Sequence, residues 1–209
     1  MSRRRSALSS SALAAIAALA LVAGCGDDDT NTETDTETGD AAALSGTLIE
    51  GDGYSFDLAE GYEEGDASGL AESLGAAAQG ATVDSLATGE TINEFATNLN
   101  VVITESLPSE DLDEVVEASL DGLQEQLDAL GLGGTEIEVL AEPSETTLGD
   151  EEARQYDFVT TVEDTTYTQR QLVVLRDGRG YTITFSADGE SYEEEVAGFE
   201  AMMESWEWE

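Results

Sequence analysis

The sequence predicts an α+β fold: an antiparallel sheet of about five or six strands packed with helices. Tyr54–Leu58, Arg154–Val162 and Tyr181–Ser186 alternate apolar and polar residues with the period of a half-buried strand. Val101-Val102-Ile103 and Leu172-Val173-Val174-Leu175 are continuously apolar, as in central strands covered on both faces. Two further stretches, 109–130 and 191–206, repeat apolar residues at helical spacing.

Arg3, Arg4 and Arg5 precede a run from Ala7 to Ala23 made only of Ala, Leu, Ile, Val and Ser. A basic start, an apolar core and a small-residue cleavage site make a secretory signal peptide, residues 1–24. The run falls short of the roughly 20 strongly apolar residues that span a bilayer. Val22-Ala23-Gly24-Cys25 resembles the lipobox of bacterial lipoproteins, an aliphatic residue and two small residues before cysteine. The resemblance implies cleavage after Gly24, lipidation of Cys25 with diacylglycerol and palmitate, and Cys25 as the mature N-terminus. A plain signal peptide or an uncleaved anchor are the alternatives. Residues 25–44 then form the lipidated cysteine and an acidic linker, in which Thr30 to Thr38 holds no apolar residue. Its eighteen residues from Gly26 to Ala43 reach at most about 60 Å. A single domain, 45–209, follows.

Within that domain Gly53 and Gly61 bound the first strand. Residues 67–80 read as an Ala-rich helix with Leu70 and Leu74 one turn apart, weakened by Gly69, Gly75 and Gly80. Residues 84–97 are ambiguous and are read as a short helix ending at Phe95. A strand covers Asn98 to Glu105. The next helix starts at Pro108-Ser109 and stops at Gly131. Its stripe is Leu112, Val115, Val116, Leu120, Leu123, Leu127 and Leu130, and Asp113, Glu114, Glu117, Asp121, Glu125 and Asp128 lie on the other face. A membrane-surface helix would carry Lys and Arg there, so the stripe is expected to pack on the sheet. Strands follow at 136–141, 154–162, 166–176 and 181–186, the last two joined by Asp177-Gly178, a tight-turn pair. The last helix opens with a capping box, Ser191 with Glu194, and buries Tyr192, Val196, Phe199, Met203 and Trp206. Trp208 lies off that stripe, at a terminus expected to fray.

The full chain has a formal charge of −40 and contains no histidine. With the signal removed, Arg154, Arg170, Arg176 and Arg179 face 47 carboxylates, a formal charge of −43, and lysine is absent altogether. Such a field repels nucleic acid and anionic headgroups. High-salt adaptation explains the acidity better than calcium or magnesium capture, because the acids are spread along the chain. Asp27-Asp28-Asp29 lacks the glycine and distal glutamate of an EF-hand loop. Without histidine or a free cysteine, Ser-His-Asp and Cys-His nucleophiles and the usual zinc sites are excluded. Without lysine, Schiff-base chemistry and a Walker A loop are excluded. Carboxylate-only hydrolysis survives, without a D-[ST]-G signature. No catalytic residue, cofactor or metal site is assigned.

Gly53-Tyr54-Ser55-Phe56-Asp57-Leu58, Asn98-Leu99-Asn100-Val101-Val102, Leu148-Gly149 with Ala153-Arg154-Gln155-Tyr156, Arg176-Asp177-Gly178-Arg179 and Tyr181-Thr182-Ile183-Thr184-Phe185 occur in that order before a closing amphipathic helix. In order and spacing this resembles the LpqN/LpqT-type lipoproteins and the PsbP-like α/β/α sandwich superfamily, over about residues 46–207. Ala59-Glu60-Gly61-Tyr62 departs from the usual Pro-Glu-Gly-Trp-like turn, and residues 63–97 are longer and richer in Gly and Ala. The resemblance implies a non-catalytic binding or assembly-accessory module, held at Cys25 on the outer face of the cytoplasmic membrane, with an envelope protein or ligand as partner. A carboxylate-dependent hydrolase of cell-wall glycans and a low-specificity cation-binding surface protein are the competing classes. The four arginines are candidate contacts for an anionic ligand; the simpler reading pairs each with nearby carboxylates.

Overall fold

A computed structural model describes residues 42–74, 81–93, 95–105, 107, 109–129, 136–162 and 165–209. Cys25, Gly24, the signal segment and nearly all of the linker lie outside the described residues. Eleven strands and three helices are seen among those described: β1 (Leu44–Gly51), β2 (Tyr54–Ala59), β3 (Glu63–Glu64), α1 (Ala67–Leu74), β4 (Ala81–Ile92), β5 (Phe95–Thr104), α2 (Leu112–Ala129), β6 (Glu136–Val139), β7 (Ser144–Leu148), β8 (Glu151–Val162), β9 (Thr165–Arg176), β10 (Arg179–Asp188), α3 (Tyr192–Glu204) and β11 (Glu207–Trp208).

The strands form two sheets. The larger is antiparallel with order β3-β4-β5-β10-β9-β8-β6, and β7 also pairs with β8. The smaller has order β1-β2-β11. The α+β class therefore holds, but five or six strands is too few. Of the additional strands, β3 and β11 are two residues long, too short for a period of two, and β7, Ser-Glu-Thr-Thr-Leu, has no apolar alternation to reveal it.

Residues 84–97 are not a helix: β4 runs through Ile92 and β5 starts at Phe95. The β4 register slips between Val83 and Ser85 and again between Thr88 and Thr91. Each bulge inserts a residue and inverts the alternation, which hides the strand from a period-two reading. The continuous strand β5 is buried on both faces throughout its length. Arg176 and Arg179 pair across the β9–β10 turn, where Asp177 and Gly178 take φ of 51° and 77°, the conformation their types tolerate.

One face of the large sheet carries the main core. Leu99, Val101, Leu172, Val174, Ile183 and Phe185 pack there against Tyr54, Phe56 and Leu58 of the small sheet and Phe199 and Met202 of α3. Phe185 stacks on Phe199 with centroids 5.1 Å apart. The helix stripe is turned slightly from that expected: Met202 is fully buried and Met203 only partly. The capping box does not form. The Ser191 hydroxyl donates to Asp188 O at 3.3 Å, and Glu194 N donates to Ser191 O instead of to the side chain. Trp206 lies beyond the helix, which stops at Glu204; its ring stacks on Tyr54 (4.3 Å) and Phe56 (5.4 Å). Ser205 fixes this exit by donating to Met202 O at 2.7 Å and accepting from Asp57 N at 2.9 Å.

Trp208 does not fray. It is part of β11, and its indole N–H donates to Leu148 O at 2.8 Å. The ring lies against the Gly149 turn, where φ is 57° and an added Cβ would come within 2.9 Å of the indole. Glycine is required there on both counts.

The opposite face of the large sheet has two apolar clusters. Leu70 of α1 packs on Val83, Leu86 and Val102, while Val115 and Val116 of α2 pack on Tyr156, Phe158 and Val173. Between these clusters runs a buried polar belt. Strand registers align Asn100, Thr184, Gln171 and Tyr156 in one row and Asn98, Ser186 and Gln169 in the next. The Tyr156 hydroxyl donates to Gln171 Oε1, and Gln171 Nε2 donates to Thr184 Oγ1 at 3.0 Å. In the second row Gln169 Nε2 donates to Ser186 Oγ at 2.9 Å. Both chains of bonds stop before β5, and both side-chain amide atoms of Asn100 are buried without a partner among the described residues.

Candidate functional site

Arg154 organises the surface where α2 meets the β7–β8 hairpin. The β7–β8 register places it opposite Glu145, and the β8–β9 register opposite Val173 on the α2 side of the sheet. Its Nε donates to Asp113 Oδ1 at 2.7 Å and its Nη1 to Glu152 Oε1 at 2.7 Å. Glu145 Oε1 stands 3.7 Å from Nη2. The Arg154 side chain is only 9% exposed, whereas its three carboxylate partners are 70–86% exposed. The Asp113 and Glu152 hydrogen bonds hold the guanidinium protonated well beyond its already high ordinary range. Arg154 thereby ties the first turn of α2 to the hairpin. Asp111 completes that turn by accepting from Asp113 N and Glu114 N at 3.0 and 3.3 Å.

Three clefts open around this arginine. One of about 340 Å³ lies between Glu110, Asp111 and Asp113 of the helix start and Glu151, Glu152 and Arg154 of β8. A second, of about 590 Å³, is lined by Asp113, Val116, Glu117 and Leu120 of α2 and by Glu142 and Pro143. A third, of about 530 Å³, lies along Glu145, Thr146, Thr147 and Glu152. The first two share Asp113, and the first and third share Glu152. Acidic groups thus surround a region with one buried cation and an apolar strip.

The remaining arginines stand elsewhere. Arg170 grips Asp157 with two bonds of 2.9 and 3.0 Å and reaches Glu200 at 2.8 Å. Arg176 sits 5.0 Å above the Trp208 ring and donates to Glu209 O at 2.9 Å. Arg179 contacts Asp52 at 2.9 Å and Glu105 at 3.2 Å. The registers put Arg170 and Arg176 on the sheet face opposite Arg154, so the structure does not bring the four together. Each is engaged by carboxylates.

The sequence places Asp113 and Glu117 on the helix face away from the apolar stripe and gives Glu142 no role, whereas the cleft brings Asp113 and Glu117 beside Val116 and Leu120. Among 47 acids nothing local marks them, but the spacing Asp113, Val116, Glu117, Leu120 runs i, i+3, i+4, i+7 along one side of α2. That spacing mixes acid with apolar residues on a single stripe.

Burial raises the carboxyl of Glu195 above the ordinary carboxylate range, and repulsion from Glu90 and Glu194 adds to the shift. The Tyr62 hydroxyl opposes it by donating to Glu195 Oε2 at 3.1 Å. Glu195 lines none of the three clefts. Among the described residues no group of three metal-ligating side chains converges, and no helix is long and apolar enough to cross a membrane.

Residues 73–205, most of the domain, match the family DcrB. The chain belongs to the DcrB family. The solution structure of the cyanobacterial PsbP protein, CyanoP from Synechocystis sp. PCC 6803, matches 85% of this chain and 98% of that one, with a TM-score of 0.56 and 18% identity. The crystal structure of LpqN of Mycobacterium tuberculosis, described as involved in cell envelope biogenesis, matches 83% of this chain and 88% of that one, with a TM-score of 0.52 and 12% identity. At these identities the likeness is one of fold, and this DcrB-family domain has the PsbP-like and LpqN-like architecture. No curated protein matches the chain.

Proposed function

We propose that this DcrB-family chain is a lipid-anchored, non-catalytic binding or assembly-accessory module of the cell envelope, held through Cys25 on the outer face of the cytoplasmic membrane. The observation that carries the reading is the lipobox Val22-Ala23-Gly24-Cys25, set behind a basic and apolar leader and ahead of a PsbP-like domain. The fold shared with LpqN, whose described role is in cell envelope biogenesis, supports the same compartment. The linker would let the domain work up to about 60 Å from the lipid surface. A hydrolase would need two carboxyls converging in a cleft, one of them with a raised pKa. Glu195, the one carboxyl with a raised range among the described residues, accepts from Tyr62 and lines none of the three clefts.

The test is Cys25→Ser in the full chain. Two acyl chains give stable attachment where one is marginal, at about 0.8 kcal/mol per buried CH₂. Labelled palmitate should enter the wild type and not the variant, and the mature-sized form should leave the membrane fraction. A mature-sized variant that stays in the membrane would overturn the lipobox reading.

A further inference from the structure

The groove between α2 and the β6–β7 connection combines features that ordinary solvated surface does not need. Its α2 wall presents Asp113, Val116, Glu117 and Leu120 on one stripe, and Glu142 and Pro143 face it. Val139 and Leu140, just before that second wall, are 41% and 53% exposed, two of the four large hydrophobic residues exposed among those described. Among the described residues β6 ends the sheet and pairs only with β8, which places this apolar strip at the sheet edge. The groove volume, about 590 Å³, suits several side chains.

Charge selects the occupant. A second copy would bring Asp113, Glu117 and Glu142 against their own equivalents, and anionic headgroups would meet the same repulsion. A wholly apolar segment would leave those acids facing hydrocarbon.

We propose that this groove docks an amphipathic protein segment carrying lysine or arginine beside its apolar residues. Its apolar side chains lie along the half-buried Leu120 and the exposed Pro143, over a floor closed by the buried Val116, and its cations pair with Asp113, Glu117 and Glu142. Arg154 holds Asp113 in place from below, through the 2.7 Å bond, and keeps the α2 wall fixed to the hairpin. The chemistry is helix-in-groove recognition with an acidic rim. The inference rests on the reading of the chain as a binding module and names the partner chemistry of that module.

The probe is a synthetic amphipathic helix of leucine and lysine, titrated into the full-length protein and followed by fluorescence anisotropy. The expected result is saturable one-to-one binding. Glu117→Lys with Glu142→Lys should weaken it roughly tenfold or more, since two attractive pairs become repulsive. Glu63→Lys with Glu64→Lys, on β3 at the other end of the sheet, should leave affinity unchanged. A peptide with serine for leucine should not bind. Equal weakening by both charge reversals would show diffuse attraction to an acidic body and overturn the proposal. So would binding of the serine peptide, or self-association abolished by the Glu117/Glu142 pair. Failure of the groove would leave palmitate labelling at Cys25 intact, whereas failure of the anchoring reading would abolish the labelling and leave peptide binding unchanged.

Discussion

On the side of the large sheet that meets the small sheet and α3, β5, β9 and β10 present Leu99, Val101, Leu172, Val174, Ile183 and Phe185, all buried. On the other side the same three strands present Asn98, Asn100, Gln169, Gln171, Thr184 and Ser186, which are also buried. Both sets are buried, yet only the first is apolar. The first is held by area and aromatic packing, which is tolerant of direction. The second depends on each polar group finding a partner, because an unmet buried group costs about 1–3 kcal/mol. That bond chain runs from Tyr156 to Thr184 and fails at Asn100. Truncating the aromatic packing and replacing an unmet polar group of the belt should therefore act with opposite signs.

The largest effect belongs to the aromatic face. Trp206→Ala removes a ring stacked on both Tyr54 and Phe56, and should cost about 3–5 kcal/mol in urea unfolding. Val173→Ala, under α2 on the other face, should cost clearly less. Equal losses would erase the contrast in packing.

Asn100→Val should do the reverse and stabilise by about 1 kcal/mol, because a buried amide without partners among the described residues gives way to a β-branched side chain suited to a strand. The urea midpoint measures it. A loss of stability of similar size would mean that a buried water already satisfies the amide, and the belt would then be as well held as the aromatic core.

The smallest effect lies at the rim of the aromatic face, at Glu195. Its carboxyl range is raised in the folded protein, so the folded state binds the proton more tightly than the unfolded chain. Stability from this group is present below the ordinary carboxylate range and is lost as pH rises through the raised folded value. Glu195→Gln should therefore melt slightly higher than wild type at neutral pH, with the gap closing on acidification below the ordinary range. A gap that stays constant with pH would remove Glu195 as its cause.

Much of the fold was legible because it is written in local periods. The β9–β10 hairpin reads from Asp177-Gly178, the twofold-buried β5 from Val101-Val102-Ile103, and α2 from its apolar stripe. β4 was illegible because two bulges invert its alternation. Trp208 was illegible because its partners, Leu148 O and the Gly149 turn, lie some sixty residues earlier in the chain. In the candidate site Arg154 stood out as one of four cations. Asp113, Glu117 and Glu142 did not, since an acid's role here depends on what faces it.

By itself, the sequence determined the charge, the excluded chemistries, the lipobox pattern and the apolar face of β2, β10 and the start of α2. These follow from composition and from the 2.0 and 3.6 residue periods of side-chain direction. Tertiary structure alone decided which alternating polar residues would be buried. Thr182, Thr184 and Ser186 read as the solvent side of a strand, yet β5 and β9 flank them and all three are buried. It also decided that Glu207 would pair with Ser55 and that Asp57 would bond Ser205, contacts spanning most of the domain. A period reports the geometry of one strand or helix, whereas burial and pairing depend on what folds back upon it.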